Sequence, residues 1–124
     1  MEMKFYKCRH CGKIIAIVQD TAVPTMCCGE AMIQLVPGSV DASVEKHVPV
    51  VQKNGNTVVV TVGSAEHPMT TDHYIQWISL QTKHGNQRKA LKPSDKPVAT
   101  FALLDGDEIE AVYAYCNLHG LWKA

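Results

Sequence analysis

Neither sign of charge prevails in this 124-residue sequence, where 12 Lys and Arg stand against 12 Asp and Glu. A balanced chain carries no electrostatic footprint for nucleic acid or for an anionic membrane, and neither is expected as a partner. Long apolar runs are missing as well. None approaches the roughly 18 residues of a membrane-spanning helix, so no transmembrane segment is expected. The opening stretch MEMKFYKCRHCGK contains no apolar core of a secretory signal, which points to a cytoplasmic location. No segment sustains a helical period. There is no internal repeat and no low-complexity tract. Hydrophobic residues nevertheless make up 46% of the chain and charged residues 19%, the balance of an ordinary globular protein with a real core.

What is present falls into two parts. Residues 1–36 hold Cys8, Cys11, Cys27 and Cys28 and little apolar patterning beyond IIAIV. A piece this small cannot build a large core, and metal cross-linking would supply what packing cannot. VPGSVD carries the Pro-Gly turn signal and is read as the joint. From residue 37 to 124 the pattern is β. HVPVVQK and NTVVVTVG flank Asn54-Gly55, a strong hairpin signal. HYIQWISLQT is rich in aromatic and β-branched residues, KHGNQ turns, and RKALK continues the sheet. PVATFALL and IEAVYAYCN are separated by the turn DGDE. In this last predicted strand Ile109, Ala111, Tyr113 and Tyr115 share one face, and Glu110, Val112, Ala114 and Cys116 the other. About six or seven short strands with turns between them predict an all-β, antiparallel β-sandwich.

Two constellations carry chemistry. In YKCRHCGK, two thiols at Cys-x-x-Cys spacing can chelate one ion, and the following glycine permits a tight turn that aims backbone N–H groups at sulfur. MCCGE adds two more thiols. Four sulfurs suit tetrahedral zinc or iron, and sulfur alone does not decide between them. Cys27 and Cys28 are adjacent, with Cα atoms held about 3.8 Å apart by the peptide, an awkward spacing for two ligands of one ion. Disulfides are the competing reading, but five cysteines is an odd number and no secretory signal is apparent. His10, inside the knuckle, reads as a solvated loop residue because four thiols already complete a shell.

The second constellation is His47, His67, His73, Cys116 and His119. Each lies at a strand end or in a loop, and loops cluster at the two ends of a sandwich. A single histidine is ordinary; the set is chemically coherent, since imidazoles with one soft thiolate suit a redox metal such as iron or copper. His84 stands apart in a turn and reads as solvated. A cupredoxin-like copper carrier with a zinc knuckle is one alternative, with Met69 as axial sulfur, but four histidines are too many for it and no methionine follows His119. A non-catalytic binding module with a zinc knuckle is another, and it leaves the second constellation as coincidence.

YKCRHCGK, MCCGEAM, VDASVEKHVPV, VGSAEHPMTTDHYIQWI, LKPSDKP and YCNLHGLWKA occur in the order and spacing of desulfoferrodoxin, the two-iron form of superoxide reductase, which the chain resembles over essentially its whole length. The resemblance implies a desulforedoxin-like domain over 1–36, in which Cys8, Cys11, Cys27 and Cys28 hold one iron. It implies an immunoglobulin-like catalytic domain over 37–124. There His47, His67, His73 and His119 would be equatorial ligands of a second iron, and Cys116 its axial thiolate. Glu45 and Lys46 would sit in the loop over the open position, Lys46 guiding superoxide and Glu45 closing the resting site. The family further implies a homodimer, reduction of superoxide to hydrogen peroxide, and a small electron donor such as rubredoxin.

Overall fold

The computed structural model describes residues 2–124. The chain divides into two compact units, Met1–Val36 and Pro37–Ala124.

In the first unit, β1 (Lys4–Lys7) pairs antiparallel with β2 (Ile14–Ile17), and the Cys8–Lys13 segment joins them. The joint is closed by Cys8 N–H to Lys13 O at 2.9 Å and Gly12 N–H to Cys8 O at 3.1 Å, with Gly12 at φ 80°. A second hairpin pairs β3 (Met26–Cys27) with β4 (Glu30–Ala31), and β5 (Ile33–Gln34) returns to the free edge of β1. The turn of that second hairpin is Cys28-Gly29, at φ 54° and 76°. Two successive positive φ values match a type I′ turn, whose twist suits a two-residue hairpin. Glycine adopts this conformation freely; for Cys28 it costs on the order of 1 kcal/mol. Among the described residues of this unit only Phe5, Cys8 and Met32 are buried apolar groups.

The second unit is the predicted sandwich. It begins with one helical turn, α1 (Val44–His47), followed by β6 (Pro49–Asn54) and β7 (Thr57–Val62). Next come β8 (Ile75–Thr82), β9 (Gly85–Ala90), β10 (Val98–Ala102), β11 (Ile109–Cys116) and β12 (Gly120–Lys123). They form a three-stranded sheet ordered β10-β7-β6 and a four-stranded sheet ordered β12-β11-β8-β9. The inward faces supply Val58, Val60 and Val62 from β7 and Phe101 from β10. Facing them are Ile75, Ile78 and Leu80 from β8 and Val112, Ala114 and Cys116 from β11. The Cys116 thiol is therefore part of the hydrophobic core, at the very end of its strand.

Several local expectations shift. The hairpin sits one residue later than expected: Asn54 pairs with Thr57, so the turn residues are Gly55 and Asn56, with Gly55 at φ 61°. Lys83 and His84 alone connect β8 to β9, because Thr82 already pairs with Gly85. A register shift between Ile109 and Ala111 breaks strict alternation, and Ile109 packs against the core instead of sharing the Ala111 face. β12 lies beyond the strand read as the last one. It is short, and its pattern is interrupted by the Cys116–His119 loop before a period can show.

The helical turn α1 rests directly on Gly63. A Cβ at Gly63 would lie 2.5 Å from the Glu45 carbonyl oxygen, 3.0 Å from Lys46 C and 3.0 Å from Val48 O. The Glu45 carbonyl also accepts from Ala65 N–H at 2.9 Å and from the Ser64 hydroxyl at 3.2 Å. Backbone lies against backbone here, and neither side can yield as a flexible side chain would. Gly63→Ala is expected to destabilise the metal-free protein by about 1–3 kcal/mol in urea denaturation. Gly85→Ala meets open space, and there the change should stay within about 1 kcal/mol. Equal midpoints for the two variants would contradict this account of the turn.

Candidate metal centres

In the first unit the sulfurs of Cys8, Cys11, Cys27 and Cys28 all lie within 4.8 Å of one another. Each pair comes from one turn. In the knuckle, the N–H groups of His10 and Cys11 both donate to Cys8 Sγ at 3.4 Å. In the second hairpin, the left-handed conformation of Cys28 overrides the alternation of a strand, so adjacent side chains turn to the same side with Sγ atoms 4.0 Å apart. That is how neighbouring cysteines serve one site. Cys11 Sγ and Cys27 Sγ are 3.6 Å apart across the two turns.

The ionisation of this group is divided. The Cys11 N–H, foremost, pulls the Cys8 thiol down to about 6. The hydrogen bond to Cys8, followed by that to Cys11, pushes Cys27 up to about 12. Cys28 is also raised, first by Cys8 and then by Cys11. Like charges this close cannot all ionise unaided; a cation among them removes the conflict, and thiolate donors at this spacing fit zinc or iron. His10 is not part of the cluster. Its Nε2 meets Glu30 Oε2 at 2.5 Å on the surface, where Arg9 also pairs with Glu30.

The second group lies at one end of the sandwich. His47 comes from α1, His67 and His73 from the loop between β7 and β8, Cys116 from the end of β11, and His119 from the turn into β12. One donor atom each from His47, His67, His73 and Cys116 falls within a 4.8 Å span. His119 joins them, with Nδ1 3.1 Å from His47 Nε2 and 3.9 Å from Cys116 Sγ. The four rings form a closed circuit. Neighbouring centroids are 4.7 Å apart for His47–His67 and 4.7 Å for His67–His73. They are 5.1 Å apart for His73–His119 and 4.9 Å for His47–His119. The diagonal His47–His73 is 6.4 Å, longer than every side, so the outline is nearly square. Adjacent rings stand close to perpendicular, at 77° to 89°.

Outward hydrogen bonds select the tautomers. His47 Nδ1 lies 2.6 Å from Ser43 O, and His67 Nδ1 lies 2.7 Å from Pro68 O. A carbonyl only accepts, so each Nδ1 carries the proton and each Nε2 turns a lone pair inward. His67 Nε2 and His47 Nε2 are 3.2 Å apart. His73 Nε2 is buried with no hydrogen-bond partner among the described residues. Facing lone pairs and an unpartnered buried nitrogen are what a cation would satisfy, and nitrogen with one sulfur suits a redox metal. Burial, foremost, depresses the pKa values of His47, His67 and His73, with His67 falling to about 4. At neutral pH these imidazoles are uncharged and ready to ligate. Cys116 is fully buried; burial pushes its thiol up, against the N–H groups of His119 and Leu118, which pull it down.

Glu45 and Lys46 are exposed on α1, beside His47. The positive charge of Lys46 is close enough to lower the pKa of both His47 and His73. Met69 is occupied elsewhere: it packs against the core and its sulfur accepts from Ile75 N–H at 3.4 Å. His84 is exposed, and its N–H bonds Asp107. One supporting residue escaped the sequence reading. The Trp122 ring lies 4.9 Å from the His47 ring, tilted by 30°, and its Nε1–H donates to His119 O at 3.0 Å. It steadies two of the four imidazoles. The Ser43 and Pro68 carbonyls could not have been found, because a backbone acceptor has no residue-type signature.

Comparison with known proteins agrees with this chemistry. The desulfoferrodoxin family model matches residues 39–124. A desulfoferrodoxin from Syntrophotalea carbinolica is 44% identical over 123 residues, covering 99% of this chain and 96% of its own length. A superoxide reductase from Pyrococcus furiosus is 34% identical over 106 residues, covering 64% of this chain and 85% of its own. The crystal structure of the superoxide reductase from Treponema pallidum superposes with a TM-score of 0.85 at 38% identity, over 100% of this chain and 99% of that one. With matches of this strength running through both units, the chain belongs to the desulfoferrodoxin family.

Proposed function

We propose that this protein is a superoxide reductase whose catalytic centre is the ring of His47, His67, His73 and His119 with Cys116. In the reaction, superoxide takes up one electron and two protons and leaves as hydrogen peroxide. The observation that carries the reading is the nearly square circuit of four imidazoles beside one buried thiol. That donor set would hold one iron, and Cys8, Cys11, Cys27 and Cys28 would hold the other. Iron held by these four imidazoles and the thiolate would supply the electron and would bind one small anion.

The chain's own residues do the rest. Burial keeps His47 and His67 neutral, and the Ser43 and Pro68 carbonyls hold their Nδ1–H groups outward so that each Nε2 turns inward. Cys116 brings a thiolate from the core, and the N–H groups of Leu118 and His119 stabilise its charge. If iron is held there, thiolate donation from Cys116 would favour release of hydrogen peroxide. The net charge of the protein is zero, so attraction of superoxide must be local. Lys46, exposed beside the ring, provides that attraction and orients a proton-donating water. Glu45, its neighbour, closes the site in the oxidised resting protein. The four-cysteine iron would act as an electron relay, because a saturated thiolate shell changes little on one-electron transfer. A small redox protein of the rubredoxin kind would be the donor. Family resemblance supports a homodimer, and thiol ligands suit a reducing compartment such as the cytoplasm. No helix among the described residues is long and apolar enough to cross a membrane.

Three measurements test the reading. Pulse radiolysis of reduced Lys46→Ala should show superoxide capture slowed about 10-fold or more with both irons bound, and a weaker dependence on salt. An unchanged bimolecular rate would remove Lys46 from the mechanism. Cys116→Ser should abolish the thiolate-to-iron absorption band of the second centre and fast superoxide reduction together; fast reduction surviving in this variant would refute the site assignment. The third concerns acid. His67 has a folded-state pKa of about 4 against an ordinary 6.5. Between those values the unfolded chain binds more protons than the folded one, so stability falls as pH falls through the window. Urea midpoints of the metal-free protein should drop between pH 7 and pH 4.5, and less so in His67→Gln. A flat profile would contradict buried, neutral imidazoles.

A further inference from the structure

The ladder between β8 and β11 ends in an irregularity. Tyr115 pairs with Trp77 but Cys116 with Ile75, so one residue of β8 is skipped just before the thiol. Beyond this point the two chains must part. One turns through Leu118 and Gly120 to return His119 to Cys116; the other curls through residues 70–74 to present His73.

Asn117 spans the opening. Its backbone N–H donates to Tyr74 O at 3.2 Å. Its Oδ1 accepts from Tyr74 N–H at 2.9 Å, and its Nδ2 donates to Asp72 O at 2.9 Å. A carboxamide offers an acceptor and a donor in one plane, as a peptide group does. The side chain therefore continues the ladder after the main chain has left it, and its two bonds fall on the residues either side of His73. Among the described residues the turn's other hydrogen bonds are local, between Thr70 and His73 and from Gln76 Nε2 to the Tyr74 hydroxyl at 3.5 Å. Those bonds shape the turn without fixing where it sits relative to β11. Asn117 supplies that tie, and it is the residue directly after Cys116.

We propose that Asn117 is a positioning residue of the second metal centre: its carboxamide clamps the backbone on both sides of His73 and fixes that imidazole relative to the Cys116 thiol. The proposal rests on reading His73 and Cys116 as ligands of one ion. The chemistry demanded is narrow. Aspartate has the same shape but no donor for the Asp72 carbonyl, and leucine has neither donor nor acceptor. Both should loosen His73 while leaving the sandwich core untouched.

The test is a competitive titration of full-length protein with cobalt(II), the four-cysteine site already filled. Asn117→Asp and Asn117→Leu are expected to bind cobalt(II) at the second site about 10- to 100-fold more weakly than the parent, with the thiolate-to-cobalt band shifted and the four-cysteine site unchanged. Affinities within twofold of the parent would overturn the proposal. Should either variant fail to fold, hydrogen exchange of the Tyr74 amide in the unaltered metal-free protein decides. Protection is expected from its bond to Asn117, and free exchange would overturn the clamp. Neither readout involves turnover. A parent protein that binds metal at both sites but does not reduce superoxide would sink the functional reading and leave this one standing.

Discussion

Donor atoms that repel one another are held together at one end of the sandwich, and much of the second unit serves to keep them there. His47 Nε2 lies 3.1 Å from His119 Nδ1 and 3.2 Å from His67 Nε2, with lone pairs of His47 and His67 turned inward. Left to themselves, such groups would rotate apart or take up protons. Rotation is opposed by carbonyl acceptors behind His47 and His67 and by the Trp122 ring against His47. Protonation is opposed by burial, which lowers the pKa of three of the four imidazoles. The energy of this arrangement is recovered when a cation enters. Folding and metal binding are therefore linked, and the protein holds a site whose stability is completed by its ion.

The thiol enters from a different direction. Cys116 belongs to the same apolar cluster as Ile75, Val112 and Ala114. Its strand is anchored on both sides, by β8 and by β12, so its sulfur has little freedom. The imidazoles arrive on a helical turn and on loops, which are intrinsically looser and need local ties. Gly63, whose missing side chain lets α1 lie on the backbone, is one such tie, and the Asn117 carboxamide is another. Rigid core for the sulfur and clamped loops for the nitrogens is a division of labour. His73 and His119 are partly exposed, whereas His47 and His67 are buried.

Much of this was legible in the amino-acid order. β-Branched and aromatic runs bounded by turn signals marked β7, β8, β10 and β11; β7 and β10 bury alternate residues, whereas β8 and β11 are buried along most of their length. The two ligand groups could be assembled by type, since thiols and imidazoles are scarce enough for their grouping to mean something. Other features left no mark. Cys28-Gly29 looks like a ligand followed by a flexible residue, yet both φ values are positive and the pair forms a hairpin turn. The register shift that moves Ile109 onto the core depends on β8, a partner far away in the chain. β12 is too short to show a period. Trp122 and Asn117 support the site through tertiary contacts, and the carbonyls behind the imidazoles belong to residues chosen for other reasons.

The two centres differ in a way that follows from donor count and surroundings. Four thiols suffice for a tetrahedral ion, and a complete shell offers nothing to a substrate. Cys11 and Cys28 are exposed, so the edge of that cluster reaches solvent. Four imidazoles and one thiol leave a six-coordinate ion one donor short. The shortfall becomes useful only if water and side chains do not fill it permanently, and only if an anion is drawn to it. Lys46, exposed on the turn that rests on Gly63, puts a positive charge beside the ring in a molecule whose net charge is zero, and under the proposed function it would meet the second condition. Under the proposed function the neighbouring carboxylate of Glu45, exposed on the same turn, would meet the first condition by occupying the position only while the centre is oxidised. A negatively charged ligand binds a ferric ion more tightly than a ferrous one, so under that proposal the electron that would prepare a bound iron for superoxide would also loosen the hold of Glu45.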